Sequence, residues 1–89
     1  MRAVITVVGK DAVGIIAEVS TILKKHRVNI IDITQSVISE LFAMVMLADI
    51  SKCDVDFSVL ADELKALGTS LGLDIHAMHE DIFNSMHRI

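Results

Sequence analysis

Apolar and polar positions follow two different periods along this chain. From Ala3 to Val8 the run AVITVV is almost wholly β-branched and stops at Gly9, which predicts a short strand covered on both faces. Ile15, Ile16, Val19, Ile22 and Leu23 then recur at three- and four-residue spacing, with Glu18, Thr21, Lys24 and Lys25 between them. That pattern predicts an amphipathic helix from about Val13 to His26. Asp11 stands where its carboxylate can accept from the free N–H groups of that helix, and Lys24, Lys25 and His26 complement the dipole at its end. From Asn29 to Val37 the period becomes two: Asn29, Ile31, Ile33, Gln35 and Val37 share one face, and Ile30, Asp32, Thr34 and Ser36 the other. After a turn near Ser39 and Glu40, the run LFAMVMLADI is apolar at both parities, as a central strand covered on both sides would be.

The polar cluster 51–56 predicts a loop, in which Asp54 or Asp56 can cap the next helix. Phe57, Leu60, Ala61, Leu64, Leu67, Gly68 and Leu71 follow at offsets 0, 3, 4, 7, 10, 11 and 14, a clean helical stripe. Gly72 suits the left-handed position after that helix, and Leu73 to Met78 predicts a fourth strand. Behind Asp81, the spacing of Ile82, Phe83, Met86 and Ile89 predicts a short docked helix, with Phe83 and Met86 buried against the sheet or a neighbouring chain. The order β-α-β-β-α-β with a C-terminal helix is that of an α+β ferredoxin-like sandwich: a four-stranded antiparallel sheet with two helices on one face. With 89 residues there is material for a single domain, 1–89.

Composition adds an expectation about partners. Hydrophobic residues make up 53% of the chain, more than so small a domain can bury within itself, which predicts a homodimer joined through strand two or helix one. A net charge of −4, with neither Trp nor Tyr, speaks against a nucleic-acid module. No apolar run is long enough to span a bilayer, there is no charged-then-apolar leader, and the lone Cys53 cannot form an internal disulfide. These features predict a cytoplasmic protein without a membrane partner.

The chemistry the residues offer is sparse. The two central strands carry only Phe42, which removes an RNA-recognition surface, and GKDAVG has no thiols, which removes a heavy-metal carrier. Gly9 and Gly14 have the glycine spacing of a phosphate loop, but Ile15 and Ile16 stand where the lysine and hydroxyl residue would be needed. His76 and His79 point to opposite faces if they lie on a strand, and Glu80 lies outside the pair, so a zinc-peptidase reading fails; His87 adds no ligand set. Cys53 has no histidine near it in sequence, and no pair of carboxylates is placed for acid and base work, so neither an enzyme nor a bound cofactor is expected. Met44 and Met46 share a strand face and read as core.

The stretch VVGKDAVGIIAEVSTILKKHRVNIIDI resembles the opening half of an ACT domain: a strand, Asp-x-x-Gly with an aliphatic pair, an amphipathic helix, and Asn-Ile entering strand two. The continuation DITQSVISELFAMVML resembles the small stand-alone ACT proteins and, more distantly, the repressor family of the glycine cleavage system. The resemblance implies a regulatory module that dimerises, binds an amino acid at its interfaces and acts on a separate target protein. It implies a site built from Asp11, Ala12, Val13, Gly14, Ile15 and Asn29. Ala12 and Val13 stand where many members have Arg-Pro, and Gly9 offers a ligand no side chain. On chemistry alone, Gly14 would let a ligand approach the backbone, helix N–H groups would hold its carboxylate and Asp11 its ammonium. A cap and a tight turn without ligand explain Asp11 and Gly14 equally, and Asn29 can simply shape the turn into strand two. A module that dimerises and docks a partner without any ligand is therefore the alternative.

Strands one and two run the same way in this topology, so the loop of Asp11 and Gly14 falls at the opposite end of the sheet from Asn29. Only a two-fold axis through strand two or helix one would join them, across two chains.

Overall fold

The computed structural model describes residues 1–10 and 14–86. Seven elements follow one another: β1 (Arg2–Gly9), α1 (Ile15–Lys25), β2 (Asn29–Ile38), β3 (Leu41–Asp49), α2 (Phe57–Leu71), β4 (Asp74–His79) and α3 (Glu80–Met86). The strands form one sheet in the order β2-β3-β1-β4, each neighbour antiparallel. This is the ferredoxin-like βαββαβ arrangement with an added C-terminal helix.

The two periods of the sequence meet in the core. Ala3, Ile5 and Val7 of β1 stand level with Ala48, Met46 and Met44 of β3, and all six are buried under the helices. From above, α1 contributes Ile15, Val19 and Leu23, and α2 contributes Leu60 and Leu64. The stripe of α2 ends at Gly68, where a Cβ would fall 2.7 Å from the carbonyl oxygen of Leu73. A bare backbone there lets the helix lie directly on the start of β4. Gly72 then turns the chain at φ 72°, and the N–H of Leu73 donates to the Gly68 carbonyl at 2.8 Å to close the helix end.

Four expectations need correction. The strict alternation read for β2 breaks at a bulge between Ile30 and Asp32, an extra residue that flips the face of everything before it. Ile30 therefore packs on the core, while Ile31 is exposed and Asn29 pairs with Asp49. The fourth strand begins at Asp74 rather than Leu73, because Leu73 is used, buried, in the turn. β1 and β3 are not covered on both faces within one chain: on the side away from α1 and α2, Val8 and Val45 remain exposed. Last, the face of α3 turned to that side is Glu80, Phe83 and Asn84, so within one chain Phe83 is half-buried and Met86, 65% exposed, is not covered by the sheet; for Met86 the expectation of burial is left to a neighbouring chain. The helix-start residues Ala12 and Val13, and Ile89 in the C-terminal stripe, lie outside the described residues.

Candidate functional site

The connection from β1 to α1 carries most of the expected site. Gly14 precedes the first residue of α1 with φ 76° and ψ 0°, a left-handed conformation that an L side chain adopts only at a cost. Its carbonyl accepts from the N–H of Glu18 at 3.0 Å, so the first helical bond is already made, and no side chain among the described residues caps this end. A Cβ placed on Gly14 would meet nothing within 4 Å, so the space above its backbone is open. Ile15 is different. The residue is 1% exposed and its side chain belongs to the core, so it packs the helix down and offers a ligand no side chain. Asp11, Ala12 and Val13 lie outside the described residues.

Asn29 is exposed at the first position of β2, level with Asp49 and, through β3, with Arg2. Gly9, which leads into the Gly14 loop, is at the far end of β1. Seven residues of strand at about 3.3 Å each separate the two levels by roughly 23 Å. One chain does not bring Gly14 and Asn29 together. Beside Asn29 a groove of 460 Å³ is lined by Ser20, Lys24, Arg27 and the apolar Leu23, Val28 and Ile30. Arg27 holds φ 63° there, one residue past the His26 that ends α1.

A polar cluster that the sequence did not reveal ties α1 to α2. His26 is 9% exposed, and both ring nitrogens face carboxylates: Nδ1 to Asp54 at 2.9 Å and Nε2 to Glu63 at 2.8 Å. The second oxygen of Glu63 accepts from the Lys25 ammonium. Two acceptors on one imidazole are both satisfied only by the doubly protonated ring. The bonds from Glu63 and Asp54 accordingly raise the His26 pKa above 6.5, against the opposing effect of burial. Glu63 is lowered from 4.5, first by Lys25 and then by His26. The signal was hidden because Asp54 and Glu63 lie 28 and 37 residues from His26. Both carboxylates are occupied by cations, which suits a clamp rather than a reacting group.

His76 and His79 do face opposite sides of β4, as their spacing requires, and the His79 ring packs on Phe57 with centroids 4.3 Å apart. Among the described residues no three His, Cys, Asp or Glu side chains converge on a point that a metal could occupy. His87 lies outside the described residues. Cys53 is half-buried against the core.

Comparison with known proteins agrees with this fold. The sequence profile of the ACT domain matches residues 2–78. A UPF0237 protein of Clostridium perfringens is 54% identical over 89 residues, the full length of both chains. An ACT domain protein from Streptococcus pneumoniae has a solved structure that superposes with a TM-score of 0.80 at 41% identity, covering 93% of each chain. A candidate glycine cleavage system transcriptional repressor superposes at 0.68 with 28% identity, over 86% of this chain and 44% of that one. With the profile reaching from the start of β1 into β4 and covering both long helices, the chain belongs to the ACT domain family.

Proposed function

We propose that the chain is a regulatory module that binds a small amino acid or similar carboxylate as a homodimer and acts on a separate target protein. The observation that carries this reading is the separation of Gly14 and Asn29 on a sheet with β2 at one edge, exposed along nearly its whole length. A two-fold axis along that edge, or along α1 above it, would set Asn29 of one chain beside the Gly14 loop of the other, in two equal composite sites. Helix N–H groups would hold the carboxylate, Asp11 the ammonium, and Asn29 of the second chain further polar contacts. The family supports the regulatory part, and the similarity to a candidate transcriptional repressor points the same way. The family match, with small relatives of the same length, supports a sensor rather than an enzyme. A single unpaired cysteine is in keeping with the cytoplasm, and no helix among the described residues is long and apolar enough to cross a membrane.

The test is a mixed dimer of Asp11→Ala and Asn29→Ala chains. One composite site then carries both lesions and the other none, so binding should be half restored relative to either mutant homodimer, in which each lost contact costs about 1–3 kcal/mol. Equal loss in every dimer, or loss in none, rejects the placement. A ligand-free docking module is favoured instead by the aliphatic side chains exposed on the face opposite α1 and α2, and the absence of any ligand-induced rise in melting temperature would support it.

A further inference from the structure

At the end of the sheet where β1 leaves for α1, a cavity of 570 Å³ opens between Lys10, the start of β3 and the α2–β4 turn. Its volume falls within the range of about 300–1,000 Å³ typical of small-molecule sites. Its walls are aliphatic: Val8, Leu41 and Leu71, each 41 to 48% exposed, converge on it above the buried Leu73. Leu73 lies so close against the backbone of Gly9 that a Cβ there would fall 1.9 Å from its Cδ2. Exposed aliphatic side chains are ordinary when scattered, but three around one concavity are not.

The rim carries one charge of each sign. Asp74 is paired with Val8 across the β1–β4 ladder, and Lys10 lies two residues beyond Val8. Both side chains border one concavity, so the two ends of a single zwitterion can meet them together. Among the described residues neither Lys10 nor Asp74 enters an ion pair, although both line the same cavity. Thr69 completes the rim; its hydroxyl donates to the Lys65 carbonyl at 3.2 Å, which leaves its lone pairs free to accept. The backbone groups of the turn are closed on themselves, Gly72 donating to the Thr69 carbonyl and Leu73 to that of Gly68.

We infer that this cavity binds a free α-amino acid with an aliphatic side chain: carboxylate on Lys10, ammonium on Asp74 and Thr69, side chain against Val8, Leu41 and Leu71. The ligand class rests on the amino-acid-sensing reading above, but the place does not. The described lining of the cavity comes from one chain and does not include Asn29.

Calorimetric titration of the full chain with a panel of free amino acids tests it, with L-leucine, 4-methylpentanoate, isopentylamine and N-acetyl-leucinamide as the deciding probes. Leucine is expected to bind at one molecule per chain, and the three analogues at least tenfold more weakly. Lys10→Gln and Asp74→Asn should each weaken leucine at least tenfold, and Asp74→Asn should leave 4-methylpentanoate unchanged. Unaltered circular dichroism and melting temperature of these surface variants without ligand exclude a folding defect. Leucine binding indifferent to Lys10 and Asp74, or binding of polar amino acids only, overturns the inference while the sensing reading stands. N-acetyl-leucinamide binding as tightly as leucine overturns it in favour of peptide docking, and no binding by any amino acid overturns both.

Discussion

His26 shows how much one side chain can contribute when its surroundings choose its protonation state. It ends α1, accepts the backbone N–H of Asp54 on its own carbonyl at 3.2 Å, and faces a carboxylate at each ring nitrogen. Because its folded pKa is raised above 6.5, the stability it contributes is fully present below that value and is lost as pH rises through the folded pKa. Glu63 is shifted the other way, so its contribution is present above 4.5 and is lost as pH falls through its lowered pKa. The clamp is therefore complete between those two values. The melting temperature should fall on either side of that window, and His26→Gln, which cannot carry the charge, should flatten the upper side. Thermal melts across the pH range for both proteins check this; parallel profiles above pH 6.5 would show that the cluster is silent.

Among the elements, α2 was the most legible in sequence and β2 the least. The stripe from Phe57 to Leu71 gave the observed helix limits because seven apolar positions agree on one face. In β2 one extra residue at the bulge changes which isoleucine is inside, and a period of two carries no mark of an insertion when Ile30 and Ile31 are the same residue type. The topology was legible enough to separate Gly14 from Asn29, since that needs only strand order and direction. The rim of Lys10 and Asp74 was not, because it depends on the β1–β4 register across more than sixty residues. The contact of α2 with β4 makes a sharp prediction. In Gly68→Ala the new methyl meets a backbone carbonyl, not a side chain that can swing away. Overpacking of about 1–3 kcal/mol should exceed the roughly 1 kcal/mol of helix propensity gained. A fall of several degrees in melting temperature is expected, and a rise would show that the helix can retreat from β4 at no cost.

At the scale of the molecule, the two faces of the sheet are unequal. One lies under α1 and α2; on the other, among the described residues, α3 packs against β1 and β4, and Phe83 borders a groove with Val4, Val45 and Leu47. Removing residues 81 to 89 uncovers that groove and should lower stability by about 1–2 kcal/mol, the worth of a half-buried aromatic side chain, or cause aggregation. Unchanged melting and solubility would show that α3 does nothing for the fold. The remaining exposed aliphatics, together with the open edge of β2, predict a dimer by sedimentation at micromolar concentration; a stable monomer there would contradict it.

The strand order also governs when this chain can fold. β1 lies between β3 and β4, so the strand made first finds both of its neighbours only later in synthesis, the second after residue 73. Until β4 has left the ribosome, β1 is held on one side alone and Gly68 has no strand to lie against. Closing such distant pairings sets the pace of folding more than local helix formation does, so the native sheet should appear in a late, single step rather than being built from the N-terminus onward.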